Sequence, residues 1–132
     1  MSSSNHPVSD LVARIKNGYL AKKTTISSPA SKLRDSILRI LKDEGYIASY
    51  SKSQEGSATT FNINLKYHYS DPVVSDIHIV SKPGRRVYCR AGEIPSVKNG
   101  LGVTVISTSQ GVLADHEARN KSLGGEILLK IF

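Results

Sequence analysis

The sequence has little of three features that define whole classes of protein. Cys89 is the only cysteine, so no disulfide can form within the chain, and this fits a reducing compartment. No apolar run approaches the roughly 20 residues that cross a membrane as a helix. Residues Met1 to Pro7 lack the basic and apolar regions of a secretory signal and the arginines of a mitochondrial transit peptide. We therefore expect a cytoplasmic protein with no membrane partner.

Groups that would support catalysis or bind a metal are also missing. A nucleophile elbow needs a glycine two residues before and two residues after its serine. Ser109 has Gly111 two residues after it, but Ser107 stands two residues before it. No phosphate-binding lysine follows a glycine-rich loop. The histidines are far apart and have no metal-ligand spacing among themselves or with Cys89. They are His6, His68, His78 and His116. We therefore expect no enzyme, no metal and no cofactor.

Acidic residues are scarce relative to basic ones. Eleven Asp and Glu stand against 18 Lys and Arg, which leaves a net charge of +7. An excess of this size favours a polyanionic partner, although an ordinary soluble domain can also be basic. The cations fall in two regions that would form one footprint if they meet in space. They are Arg14, Lys16, Lys22, Lys23, Lys32, Arg34, Arg39 and Lys42 in the first region, and Lys82, Arg85, Arg86, Arg90 and Lys98 in the second.

The first half of the chain predicts two amphipathic helices followed by a short sheet. Apolar residues from Val8 to Ile15 recur at helical spacing, with Asn5 or Ser9 as the cap and Asn17-Gly18 as the end. A second helix runs from its cap, Ser31, to Gly45. Its cations are expected to point away from the apolar face: Lys32, Arg34 and Arg39. A strand, a turn and an alternating strand then follow, from residue 46 to residue 67.

The second half predicts mostly strands. A boundary at Ser70-Asp71 would divide the chain into residues 1–70 and 71–132. A turn with proline and glycine at its centre, Lys82–Arg85, separates two strands, and a short helix begins at Asp115. We therefore expect an α+β fold of two small domains packed together. The first domain would be helix-rich with a short sheet, and the second mostly β with short helices.

Three consecutive hydroxyl side chains stand out after the predicted strand Val103–Ser107. The segment Ser107–Gly111, called the hydroxyl loop below, ends at a glycine. Such hydroxyls often satisfy local backbone groups. Alternatively they point outward to a ligand rich in donors and acceptors. Folded RNA is such a ligand, because it is recognised largely by shape through ribose hydroxyls and phosphates.

At these residues a family resemblance becomes clear. The run GVTVISTSQGVLADHEAR, residues 102–119, resembles the signature of the family of the eighth protein of the bacterial small ribosomal subunit. Further blocks resemble the same family in the same order: Arg14–Gly18, Ser31–Leu33, Lys42–Ile47, Ser81–Tyr88 and Leu123–Ile127. Together they cover essentially the whole chain. One departure is Gln110, where many relatives have lysine, which removes a phosphate-seeking charge but leaves the hydroxyls.

The resemblance implies a structural constituent of the small ribosomal subunit, present as a monomer within the ribosome. Family members are primary binding proteins of the central domain of small-subunit ribosomal RNA, and they aid its folding and early assembly beside neighbouring small-subunit proteins. Some members also bind the messenger of their own operon and repress its translation. A stand-alone RNA-binding translational regulator is therefore the alternative function.

Carried onto this sequence, the resemblance assigns the reading of the RNA to the hydroxyl loop and its surroundings. Gly111 would shape the loop, and Tyr88 would stack or hydrogen-bond beside it. Gly124 and Gly125 would let backbone approach the same site, and Glu126 would orient the loop. The three readers would be Ser107, Thr108 and Ser109.

The resemblance also implies contacts to phosphates from both halves of the chain. In the first half these contacts would come from Ser31, Lys32, Arg14 and Lys16. In the second half they would come from Lys82, Arg85 and Arg86.

Overall fold

The computed structural model describes residues 6–132, so Asn5, one of the two predicted helix caps, lies outside the described residues. The described part of the chain contains three α-helices: α1 (Pro7–Leu20), α2 (Lys32–Asp43) and α3 (Asp115–Asn120). The cap of α1 is His6, not Ser9, because the His6 ring nitrogen accepts a hydrogen bond from the Ser9 amide at 3.1 Å.

Helix α1 continues beyond its predicted end. Gly18 is helical, and the chain leaves the helix only after Leu20. A Cβ at Gly18 would lie 2.7 Å from Cγ2 of Ile26, so this glycine makes room for β1 packing rather than ending the helix.

Within residues 6–132, ten strands form three antiparallel sheets. Their bounds are β1 Thr25–Pro29, β2 Ile47–Glu55, β3 Ala58–Leu65, β4 Tyr67–His68, β5 Asp71–Pro72, β6 Ile77–Ile79, β7 Tyr88–Cys89, β8 Val103–Thr108, β9 Gly111–Ala114 and β10 Gly125–Ile131. The first sheet has the order β1-β3-β2, and β4 pairs only with β5. The largest sheet has the order β6-β10-β8-β9, with β7 also paired to β10. Strand β9, which follows the hydroxyl loop, is absent from the sequence prediction.

The two halves share a continuous apolar core. Helix α1 contributes Leu11 and Ile15, and β3 contributes Ile63, while β10 contributes Leu129 and Ile131 from the second half; all five are at most 1% exposed. A second, smaller cluster lies within the second half. The predicted α+β class is confirmed, with a helix-rich first half and a mostly β second half. The boundary at residues 70 and 71 falls at the tip of the β4–β5 hairpin and stays a prediction.

One predicted surface cation is buried. Lys32 and Arg39 are exposed as expected, but the prediction for Arg34 is wrong, because this residue is only 4% exposed. Its guanidinium donates to Asp10 at 2.7 Å and to Ser28 at 2.6 Å. The partners come from α1 and β1, so the helical pattern of α2 alone could not reveal them. The pair Asp10–Arg34 therefore attaches the start of α2 to the first turn of α1.

Removing Arg34 should cost far more stability than removing an exposed arginine. Burial opposes ionisation of Asp10, but hydrogen bonds from Arg34 and then Arg14 outweigh it and hold the pKa of Asp10 below 3.8. We expect Arg34→Ala to lower the free energy of unfolding by about 3 kcal/mol at neutral pH, because it breaks a largely buried ion pair. Urea denaturation measures this difference.

The acid dependence of that loss has a definite sign. Asp10 has a lowered folded-state pKa, so the contribution of its carboxylate is complete above 3.8 and is lost as pH falls through the folded value. The effect of Arg34→Ala should shrink accordingly in acid. Arg39→Ala on the exposed side of α2 is the matched control and should change stability by less than about 0.5 kcal/mol. Equal losses from the two variants would contradict the role given to Arg34.

Candidate nucleic-acid interface

The hydroxyl loop is the tip of a tight β-hairpin. Thr108 of β8 pairs with Gly111 of β9, which leaves Ser109 and Gln110 as a two-residue turn. Gly111 has φ +109°, a conformation that favours glycine, so its predicted role in shaping the loop has a backbone basis. The Thr108 hydroxyl donates to the Gly111 carbonyl at 2.7 Å and accepts from the Gln110 amide at 3.1 Å. This side chain therefore closes the turn.

The other two hydroxyls of the loop differ from Thr108 in their availability. Ser109 is exposed at the turn and Ser107 is half-buried at the end of β8. Neither hydroxyl has a side-chain hydrogen bond to any of residues 6–132. Of the three predicted readers, Ser107 and Ser109 thus keep their hydroxyl groups for a ligand, whereas the hydroxyl of Thr108 is used within the protein.

Strand register brings three predicted residues into one row. Glu126 of β10 is opposite Ser107 of β8 on one side and opposite Tyr88 of β7 on the other. Directly opposed residues point to the same face, and neighbouring strands lie about 4.8 Å apart. The row Tyr88–Glu126–Ser107, called the reader row below, therefore spans roughly 10 Å. The Tyr88 side chain is 68% exposed, so its ring stands free beside Glu126.

The two glycines before this row make room for the protein's own backbone. A Cβ at Gly125 would lie 2.0 Å from the Ser107 carbonyl oxygen, and one at Gly124 would lie 2.4 Å from the Cys89 carbonyl oxygen. Real Cβ atoms do not come so close, so both positions exclude larger residues. The glycines thus have an internal reason to be small, and their contact with RNA stays a prediction.

The basic turn predicted at Lys82–Arg85 projects beside the reader row. The Lys82 and Arg85 backbones exchange two hydrogen bonds, of 2.9 and 3.1 Å. Buried Ser81 closes the base of the turn, because its hydroxyl accepts from the Val87 amide at 3.0 Å. The exposed cations of this segment, Lys82, Arg85 and Arg86, are called the basic loop below.

Two contacts place the basic loop at the start of β10. Ser81 donates its amide to the Ile127 carbonyl, and Val87 accepts from the Ile127 amide. Arg86 forms an ion pair with Glu126 at 3.2 Å. Three predicted phosphate ligands therefore stand next to the predicted readers, and one of them is held by the carboxylate in the middle of the row.

The start of α1 lies against the same region. Burial, and then the positive charge of Arg86, lower the pKa of His6, while Glu126 opposes the shift. These charges act on His6 because the cap of α1 is close to the reader row. One turn further along α1, Asp10 holds Arg34 at the start of α2. Ser31 caps α2 by accepting from the Arg34 amide at 3.2 Å.

Two of the cations predicted in the first half, Lys32 and Arg14, lie near the starts of α2 and α1. Lys32 is exposed in the first turn of α2, next to Ser31. Arg14 donates to Asp10 at 2.8 Å and to the Ser27 carbonyl at 2.9 Å, and its side chain remains 40% exposed. The contacts of Asp10 with Arg14 and Arg34 thus place Ser31, Lys32 and Arg14 near the start of α1.

Lys16 lies elsewhere. Its ammonium is 3.9 Å from the Asp76 carboxylate, and Asp76 is hydrogen-bonded through its backbone to Phe132. Phe132 follows the far end of β10, about 20 Å along the strand direction from Glu126 at 3.3 Å per residue. The structure therefore does not bring Lys16 to the reader row, and its contact with RNA stays a prediction.

Sequence reasoning missed the residues that support the interface from within. Ser81, His6 and Arg34 are all at most 9% exposed and organise exposed neighbours. His6 precedes Pro7, and a proline at the first helical position is a signal that could have identified the cap. No local signal identifies Ser81 or Arg34, because their partners are set by tertiary contacts.

Two kinds of feature are absent from the described residues. Within residues 6–132, no group of three or more His, Cys, Asp or Glu side chains is arranged to hold a metal ion. In the same part of the chain, no helix is both long enough and apolar enough to cross a membrane.

Comparison with known proteins gives consistent matches. The sequence model of the family described as ribosomal protein S8 matches residues 6–132. The small ribosomal subunit protein uS8 of Azorhizobium caulinodans is 50% identical over 131 residues, covering 98% of this chain and 99% of that protein. The proteins of the same name from Mesorhizobium japonicum and Erythrobacter litoralis are 50% and 48% identical over 131 and 126 residues. They cover 98% and 96% of this chain, and 99% and 96% of their own lengths.

Adding one methyl group at Gly125 should disturb the reader row. We expect Gly125→Ala to lower the free energy of unfolding by about 2 kcal/mol or more, because the Ser107 backbone would have to move. Amide exchange should accelerate at the β8–β10 pairing around Ser107. Gly92→Ala is the matched control, since among the described residues nothing lies within 4 Å of its added Cβ. Unchanged stability and exchange in Gly125→Ala would contradict the close approach.

Proposed function

The chain belongs to the ribosomal protein S8 family, and on that premise we propose that it is a structural constituent of the small ribosomal subunit that binds the subunit's RNA directly. One observation carries the proposal of direct binding. The reader row presents Tyr88, Glu126 and Ser107 on one face, and the basic loop stands beside it. Hydroxyl, aromatic and cationic groups in this arrangement suit a folded RNA with exposed riboses and phosphates.

The cations and the hydroxyl groups would contribute differently to RNA binding. The cations of the basic loop, with Lys32 and Arg14 on the other flank, would neutralise phosphates and supply attraction that depends on salt. The hydroxyls of Ser107 and Ser109 would exchange hydrogen bonds with riboses or base edges and supply selection. Thr108 would act indirectly by closing the turn that presents Ser109.

Glu126 is proposed as a positioning residue within the reader row. A carboxylate repels phosphate, so its place at the centre of an RNA-binding face needs a reason. Its ion pair with Arg86 supplies one, because the pair holds the guanidinium toward the row and leaves the net charge there close to neutral. The neighbouring Tyr88 ring and Ser107 hydroxyl can then approach a base or ribose rather than the phosphate chain.

The proposal extends to the RNA target and to assembly. We infer that the target is an irregular helix in the central domain of small-subunit ribosomal RNA, and that binding occurs early and aids folding of that domain. Neighbouring small-subunit proteins would contact the remaining surface. The messenger of the chain's own operon is proposed as a second ligand, provided that it forms a similar hairpin.

Footprinting of small-subunit ribosomal RNA with and without the full chain tests the target. We expect protection confined to an irregular helix of the central domain. Filter binding then compares a fragment containing that helix with random duplex RNA. Equal affinity for the two RNAs would favour a general RNA-binding regulator over a ribosomal constituent.

Hydroxyl and cation variants should separate selection from attraction. We expect Ser107→Ala and Ser109→Ala each to weaken binding to the fragment by about 1 kcal/mol and to leave the salt dependence unchanged. Arg85→Ala should reduce the slope of log affinity against log salt by about one, because one phosphate contact is lost. Filter binding at several salt concentrations measures both quantities.

Ser57→Ala is the matched control, since Ser57 is an exposed serine in a different hairpin turn, between β2 and β3. It should change neither quantity. A flattened salt slope in the serine variants, with selectivity intact, would show that the two roles are reversed.

A further inference from the structure

The end of α1 opposite His6 carries a second group of polar and aromatic residues. Lys22 and Lys23 follow the helix, and the β4–β5 hairpin packs against them. The Tyr67 hydroxyl donates to the Lys23 carbonyl at 2.6 Å, and the Tyr67 ring meets the Tyr19 ring edge-on at 5.5 Å between centroids. The hairpin is thus anchored to the helix end by its first strand.

The turn of this hairpin holds a tyrosine in an unusual backbone conformation. Tyr67 pairs with Pro72 and His68 with Asp71, which leaves Tyr69 and Ser70 as the two turn residues. Their φ values are +49° and +72°, where asparagine and glycine are the usual residues. This backbone conformation costs free energy, and burial of the ring does not compensate for that cost. We therefore expect the exposed Tyr69 ring to have a function.

The Tyr69 ring is free for a ligand. The side chain is 89% exposed, and its aromatic contact is the edge of the His68 ring at 4.4 Å between centroids. An exposed aromatic face of this kind accepts a nucleobase of any type by stacking.

An open cavity of about 360 Å³ lies next to the hairpin turn, and Ser70, the residue after Tyr69, lines it. Its lining consists of one ammonium and three hydroxyl side chains: Lys22, Thr24, Tyr67 and Ser70. Ammonium and hydroxyl donors suit a phosphate or a ribose. The hairpin carries one acid, Asp71, against the two lysines at the helix end.

A second cavity, between α1 and β1, extends from Lys23 toward a cation already assigned to the first interface. It is lined by the polar side chains of Arg14, Asn17, Lys23 and Ser27 and by Gly18, Ala21 and Ile26. Helix α1 has 14 residues, so its two ends lie about 20 Å apart at 1.5 Å per residue. The second group of residues is therefore separate from the reader row but connected to it by basic and amide side chains.

We propose that Lys22, Thr24, Tyr67, Tyr69 and Ser70, called the tyrosine tip below, bind single-stranded RNA. One unpaired base stacks on the Tyr69 ring, and the adjoining phosphate or ribose enters the hydroxyl-lined cavity at Lys22. The strand continues along the α1–β1 cavity toward Arg14. The inference rests on the proposed function only in taking RNA as the partner, since the tip uses no residue of the reader row.

Binding of a labelled single-stranded RNA of about eight nucleotides, within the known range of site sizes, tests the tip in the full chain. We expect Tyr69→Ala to weaken binding about tenfold and Tyr69→Phe to retain it, because stacking needs the ring and not the hydroxyl. Lys22→Ala should reduce the salt slope by about one. Absence of binding by the unaltered chain, or equal binding by Tyr69→Ala, would overturn the proposal.

Tyr69→Gly tests whether a loss of RNA binding comes from the missing ring or from unfolding of the protein. Glycine adopts φ +49° without strain, so this variant should keep or raise the melting temperature while it loses RNA affinity. Leu101→Ala is the matched control, because Leu101 is equally exposed at 85% and lies outside both surfaces. It should bind the oligonucleotide as the unaltered chain does.

Comparing Ser107→Ala with Tyr69→Ala tests the tyrosine tip and the reader row separately. If Ser107→Ala weakens binding to the ribosomal RNA fragment while Tyr69→Ala binds the oligonucleotide as the unaltered chain does, the proposal for the tyrosine tip is wrong and the proposed function stands. If the reverse holds, the tip binds RNA and the reader row does not.

Ultraviolet crosslinking in assembled small subunits gives an independent readout. An RNA adduct on residues 67–72 would support the tip. Chemical crosslinking of this hairpin to a neighbouring protein, with no RNA adduct, would overturn it.

Discussion

Backbone pairing along β10 is the constraint on which the second half of the molecule depends. The strand pairs with β8 along its length, with β7 at its start and with β6 at its end, so three separate segments take their positions from it. The close passage of Gly125 over the Ser107 carbonyl keeps the start of the strand in register. The reader row is therefore held by main-chain hydrogen bonds and needs few contacts of its own, which leaves its side chains available for a ligand.

The first half is attached to the same flank by charge and by a shared core. Asp10 and Arg34 join the two helix starts, and apolar residues of α1 and β10 belong to one buried core. Several cations are engaged within the protein: Arg34 is buried, Lys16 faces Asp76, and Arg86 is paired with Glu126. The net charge of +7 thus measures long-range attraction to RNA, whereas the number of cations free to meet phosphates is smaller.

Much of the fold follows from local pattern. Helical spacing placed both long helices, and the alternation in β3 predicted a half-buried strand, because burial of one face imposes these periods. The errors have physical causes. Gly18 is helical because β1 needs the space that a side chain would fill. Strand β9 is short and lies next to polar turn residues, so its identity depends on pairing with β8. Arg34 is buried because Asp10 and Ser28 meet it from other elements.

Some features of the candidate site follow from the sequence alone, and others depend on the tertiary structure. The sequence by itself determined the α+β class, the family, the hydroxyl residues and the two basic regions, since each of these is a property of residues close together in the chain. Only the tertiary structure decided that Thr108 closes its own turn, that Ser107 shares a row with Glu126 and Tyr88, and that Lys16 lies apart. Whether a hydroxyl or a cation is free depends on partners from distant segments. Strand register and helix packing select those partners, and no local pattern encodes them.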